Sequence, residues 1–166
     1  MTVHLTEPQH TEKTIKECYA NLSRQTLRYI FIQNQYIQYE PWAEHLIDCV
    51  GRLRSAGYLK PIYVFILTST PENDGMDVPT YDVASKVGRS EAMKVEHEEA
   101  LKLAREKKTK PPSTAEELAE RGIKVFIGSL WTCARDKDRL QATDYEEIYI
   151  HAKVALVDDA AFPIGL

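Results

Sequence analysis

Between residues 11 and 26 the side chains Ile15, Cys18, Tyr19 and Leu22 recur at helical spacing, which predicts an amphipathic helix. The β-branched and aromatic run from Arg28 to Gln33 (RYIFIQ) predicts a strand. Pro41 suits the first turn of a second helix, with Trp42, Leu46, Ile47, Val50 and Leu53 on its apolar side and Gly57 as its stop. The segment from Ile62 to Leu67 (IYVFIL) is apolar without alternation, the pattern of a strand covered on both faces. Residues 69–80 carry the Pro, Asn, Asp and Gly of a loop. A long helix is then expected from Asp82 to Lys108, its basic end suiting the C-terminal pole of the helix dipole. Lys110-Pro111-Pro112 breaks it, and Ser113 with Glu116 predicts a capping box for a short helix ending at Gly122. A strand from Ile123 to Ile127, a long loop over 129–147 and a last strand from Ile148 to Val157 (IYIHAKVALV) complete the order. Such alternation predicts an α/β protein, layered α/β/α, with a mixed, largely parallel sheet.

The chain length, 166 residues, suits one domain over 1–166 with a real core. Its 43% apolar and 28% charged residues match a globular protein. The longest apolar run is that from Ile62 to Leu67, too short for a membrane-spanning helix. The first ten residues are polar, without a signal-peptide core, so synthesis in the cytoplasm is expected. The net charge of −4 argues against a wide surface for gripping a phosphate backbone, and no nucleic-acid partner is expected. A small, locally basic phosphate site remains compatible with it. Cys18, Cys49 and Cys133 are far apart and lack metal-ligand spacing, so they read as buried or half-buried free thiols rather than a disulfide framework or a zinc site.

The most informative chemistry lies in the last strand. With a period of two, His151 and Lys153 point to one face, while Ile148, Ile150, Val154 and Leu156 are expected to bury the other against helices. Burying an unpaired histidine and lysine would cost several kcal/mol each. Asp158, at the strand end, is expected to supply a compensating negative charge.

The spacing His-x-Lys-x-x-x-x-Asp, with six further residues before Gly165, resembles the HKD signature of the phospholipase D superfamily. Ile32-Gln33-Asn34-Gln35-Tyr36 is similar to that family's strand-end motif, which usually has Glu before Asn-Gln-Tyr. The resemblance covers the chain from about Thr11 to Gly165 and is nearest to bacterial phospholipases, including lipase effectors delivered by type VI secretion. It implies a C-terminal catalytic half acting without metal or cofactor, through a covalent phosphohistidine. His151 is implied as one of two required histidines, in the acid/base role. Lys153 is implied as the group that neutralises the phosphate oxygens, and Asp158 as the residue that orients and balances the pair. Asn34 and Gln35 could hydrogen-bond near the site or serve only the strand-end turn.

This chain departs from the family in two ways. The Gly-Ser-x-x-Asn continuation is missing, since Gly165 is followed by Leu166, so the domain reads as incomplete at its C-terminal end. One HKD motif is present where the chemistry needs two. The implied partners are therefore a phospholipid substrate at a membrane surface, a second HKD-bearing segment from another chain or copy, and an inhibitor or immunity protein. Delivery to a target cell's periplasm or membrane is part of the same implication. Two other functions stay open: an HKD-superfamily nuclease, and a truncated or split non-catalytic domain that binds a partner chain. Elsewhere, His97-Glu98-Glu99 lacks the second histidine of HExxH and reads as a solvated helix face. The basic stretch from Arg105 to Lys110 reads as a helix end. Trp131 and Tyr145 could contact a lipid, line a pocket, or pack under their loop.

Overall fold

A computed structural model describes residues 14–70, 77–107, 110–133, 139, 141 and 144–160. In chain order its elements are α1 (Thr14–Gln25), β1 (Tyr29–Asn34), α2 (Glu40–Ser55), β2 (Ile62–Thr68), α3 (Asp77–Lys86), α4 (Lys94–Lys107), α5 (Ala115–Glu120), β3 (Ile123–Gly128), β4 (Leu130–Cys133), β5 (Tyr145–Ile148) and β6 (Lys153–Val157). The main sheet runs β3-β2-β1-β6. Strands β1, β2 and β3 are parallel, and β6 joins β1 antiparallel. The expected α/β class, with helices layered on a mixed, largely parallel sheet, is therefore observed.

Register places the apolar side chains of neighbouring strands on one face. Ile30 is aligned with Val64 and Val157, and Ile32 with Ile66 and Ala155. Ile62 and Val64 face Ile123 and Val125 in the same way. These residues form the core with Leu46 and Val50 of α2, Val83 of α3 and Leu118 of α5. Tyr19 and Leu22 of α1 pack against it. The Trp42 indole donates to Ser23 Oγ at 3.0 Å and ties α2 to α1 within this layer. On the opposite face the rings of Tyr63, Phe65 and Phe126 stack, with centroids 6.4 and 5.2 Å apart. Burial along β2 consequently alternates, with Phe65 and Phe126 exposed, so the run from Ile62 to Leu67 is not covered equally on both faces.

Several further segments depart from the sequence reading. The long helix is divided, because α3 already begins at Asp77 and the chain turns at Gly88 and through a 3-10 turn over Ser90–Ala92 before α4. Gly88 has φ +71°, and a Cβ there would lie 2.5 Å from the Thr114 carbonyl oxygen, so only glycine lets the two backbones meet. The capping box falls one residue later, with Thr114 Oγ1 accepting from Glu117 N and the Glu117 carboxylate accepting from Thr114 N, both at 3.2 Å. Inside the expected loop over 129–147, β4 and β5 pair as an antiparallel ribbon. Residues 71–76 of the loop expected over 69–80, the predicted helix end at 108, and residues 134–138, 140 and 142–143 of the long loop lie outside the described residues. Cys49 is buried as expected, whereas Cys18 and Cys133 are exposed. Among the described residues no helix is long and apolar enough to cross a membrane.

Candidate functional site

The carboxyl end of β1 meets the start of β6. Lys153 pairs across the ladder with Asn34, on the face that also carries Ala155 and Val157. This reverses the expected sidedness of the last strand. Ala155 and Val157 enter the core, Val154 and Leu156 are half-buried on the other face and Ile148 is exposed, while Ile150 is buried as expected. Because β6 starts only at Lys153, His151 precedes the strand and is exposed. Its ring stacks on Tyr149, with centroids 6.4 Å apart and planes at 20°.

Lys153 sits where helix cover ends, and its ammonium is held by two neutral acceptors. Nζ donates to Gln35 Oε1 at 3.2 Å and to the His151 carbonyl at 3.0 Å. An ammonium has three donors, so these contacts leave one direction for a further acceptor. Among the described residues no carboxylate lies within ion-pair distance of it. Gln35 is fixed on both sides. Its side-chain amide donates to the Tyr149 hydroxyl, and its carbonyl accepts from Thr68 Oγ1 at 3.0 Å and Ser69 N at 3.1 Å.

Asp158 does not serve the cationic pair. It ends the far side of β6, five residues from Lys153, a separation of about 16 Å at the usual strand rise. Its carboxylate accepts from Leu27 N at 2.6 Å, Arg28 N at 2.9 Å and Tyr29 N at 2.7 Å. Asp158 therefore supports the entry of β1, where these donors precede or begin the ladder. The sequence pattern had joined two ends of one strand, and a strand keeps its ends apart.

The structure thus brings together His151, Lys153, Asn34 and Gln35 and leaves Asp158 out. It also adds residues the sequence reading missed. Buried Ser69 Oγ accepts from Ile150 N at 2.8 Å, and Glu147 Oε1 accepts from Thr70 N at 2.6 Å. These two bonds anchor the segment leading into His151. Tyr149, whose alternation with His151 was visible in the chain, holds Gln35 and stacks on the imidazole. Ser69 had no comparable signal, because its segment read only as turn chemistry.

Two clefts border this cluster. One of about 610 Å³, between α1 and the start of α2, is lined by Asn34, Tyr36, Tyr39 and Trp42 but not by Lys153 or His151. Another of about 470 Å³ opens at the carboxyl ends of β2 and β3, beside Thr68, Ser69 and Thr70. The carboxyl ends of parallel strands are the usual ligand position in open α/β sheets. Among the described residues no three His, Cys, Asp or Glu side chains gather to hold a metal ion. What the cluster offers is an exposed imidazole, a half-buried ammonium with no carboxylate beside it among the described residues, and two side-chain amides. These groups suit an anion with oxygen acceptors. No protein-family model matches the chain, and none of the curated proteins compared with it matches.

Proposed function

We propose that this chain supplies one catalytic half of a phospholipase D-type phosphodiesterase that hydrolyses glycerophospholipid head groups. The observation that carries the reading is the Lys153 ammonium, held by Gln35 and the His151 carbonyl with no carboxylate beside it among the described residues. An anion would complete the hydrogen bonding of this half-buried ammonium and form charge-assisted bonds with it. A phosphodiester is such an anion, and its non-bridging oxygens gain charge as the nucleophile adds.

The resemblance supplies the roles, and the exposure of His151 and the pairing of Lys153 are compatible with them. A second imidazole, from another chain or copy, attacks phosphorus. The N–P bond forms, the P–O bond to the leaving alcohol breaks, and His151 as imidazolium gives that oxygen its proton. Neutral His151 then takes a proton from water, whose oxygen attacks phosphorus and breaks the N–P bond. Lys153 neutralises the phosphate oxygens in both steps. Gln35 positions Lys153, and Tyr149 positions Gln35 and the His151 ring. The resemblance to type VI effectors adds delivery to a target cell's periplasm or membrane and inhibition by an immunity protein to the same reading.

The test is phosphatidic acid formation from phosphatidylethanolamine vesicles by the enzyme with its second motif, alongside nicking of plasmid DNA. The expected result is head-group release that His151→Ala removes and no DNA cleavage. Release at the wild-type rate by His151→Ala would take His151 out of the mechanism, and DNA cleavage alone would favour a nuclease.

A further inference from the structure

The ribbon of β4 and β5 stands apart from the core. Every residue of β4 is exposed, as is β5 apart from half-buried Glu147. The register sets Leu130 opposite Ile148, and Trp131 opposite Glu147. Alternation then puts Leu130 and Ile148 on one face of the ribbon and Trp131 and Tyr145 on the other. Trp131 is 52% exposed, Ile148 46% and Tyr145 45%. An isolated two-stranded ribbon is marginal in water, and this one presents large apolar side chains on both faces.

We infer that this ribbon is the element that enters the interface of a zwitterionic phospholipid surface and holds the His151/Lys153 site against it. A protein partner would cover one face of a ribbon and leave the other in water. A bilayer interface surrounds both. Trp and Tyr, with an apolar body and a polar tip, are the residues that prefer this zone. The Trp131 indole N–H already donates to Ser129 Oγ at 2.7 Å, so its ring can leave water without an orphaned donor. Charge selects the surface type. Among the described residues between β4 and β5 Arg139 stands against Asp144, and β5 adds Glu146 and Glu147. No excess of positive charge is present to seek anionic lipid. The ribbon is continuous with the site: Glu147 is tied to Thr70, and Tyr149, directly after β5, is hydrogen-bonded to Gln35. The inference rests on the reading of the site as one for phospholipid, and its test reads binding rather than turnover.

The full chain is mixed with phosphatidylcholine/phosphatidylethanolamine vesicles and sedimented, and tryptophan quenching is recorded with brominated acyl chains. Trp42 is buried, so quenching reports Trp131. The expected result is partition with quenching, weakened about tenfold by Trp131→Ser and about tenfold by Ile148→Ser, the two losses multiplying because the residues lie on opposite faces. Raising the salt from 0.1 to 0.5 M should change it less than about twofold. Binding of a water-soluble short-chain phosphatidylethanolamine should be unaffected by either substitution. Absence of vesicle partition, partition that neither substitution weakens, or a lipid-free dimer that Trp131→Ser dissociates would overturn the inference. Ribbon-dependent partition without head-group release would uphold it while removing the enzymatic reading.

Discussion

Lys153 Nζ donates to Gln35 Oε1 at 3.2 Å, across the junction of an antiparallel strand with the carboxyl end of a parallel one. The bond sets the ammonium where an anion can reach it. Lys153→Met, which keeps the aliphatic stem, should lower head-group release by about 10²–10³-fold with little change in melting temperature. Gln35→Leu should cost less, on the order of ten- to a hundredfold, because it displaces the ammonium without removing its charge. Rates and melting curves of both variants check this, and an unchanged rate in Lys153→Met would remove the lysine from the site.

Asp158 makes the opposite prediction. Its carboxylate accepts three backbone N–H bonds at the start of β1, and its own φ is +51°. Asp158→Ala should destabilise the fold by about 2–4 kcal/mol, because it removes three charge-assisted bonds and puts a less tolerant residue at positive φ. Asp158→Asn should cost less, since asparagine tolerates that conformation and keeps one acceptor oxygen. Urea unfolding measures both. In the proposed head-group-release assay, the pH profile of the surviving folded protein should match the wild type, as a direct part in proton transfer would not allow.

Gly88 gives a prediction of local geometry. Gly88→Ala meets both a positive φ and a backbone oxygen that cannot swing aside, so a loss of about 1–3 kcal/mol is expected in thermal or denaturant unfolding. Gly51→Ala is the control. It lies within α2, where an added Cβ meets nothing within 4 Å, and alanine is the better helix former there by about 1 kcal/mol.

Lys86 couples α3 to α2 through Glu44 at 2.8 Å and Glu40 at 3.2 Å. The hydrogen bond to Glu44, followed by that to Glu40, raises the Lys86 pKa above its ordinary value. A lysine raised on folding contributes stability that is fully present below the unfolded value of about 10.4 and is lost as pH rises through the folded value. The groups are largely exposed, so solvent screening limits the contribution to at most about 1 kcal/mol. Lys86→Met should therefore destabilise slightly at pH 7 in low salt. The difference from wild type should vanish near 1 M salt and in strongly alkaline solution. Unfolding midpoints under these conditions measure it.

Much of the fold was legible because single residues punctuate it. Pro41 opens α2, Gly57 and Gly122 take the positive φ values that follow α2 and α5, and three β-branched runs become the three parallel strands. The division of the long helix was not legible, since Gly88 is required by the backbone of Thr114, a neighbour set by tertiary packing. The ribbon was hidden because β4 and β5 present apolar residues to both faces, which erases the alternation that marks a half-buried strand. At the site, a place for Gln35 beside Lys153 was one of two readings the chain left open, and the hydrogen bond between them decides for it. The position of Asp158 was not readable, because spacing along a strand says nothing about which backbone donors wait at its end. The sidedness of β6 was misjudged for a related reason: Ala155 is small enough to look neutral, yet it is the residue that enters the core.

The most direct test is the imidazole NMR signal of His151, assigned with His151→Ala, during titration of the chain with a water-soluble short-chain phosphatidylethanolamine. The account predicts saturable movement of that signal, with the other four histidines little affected, and loss of the movement in Lys153→Met. A His151 signal that stays fixed while the lipid binds elsewhere, or that moves equally without Lys153, would contradict the account.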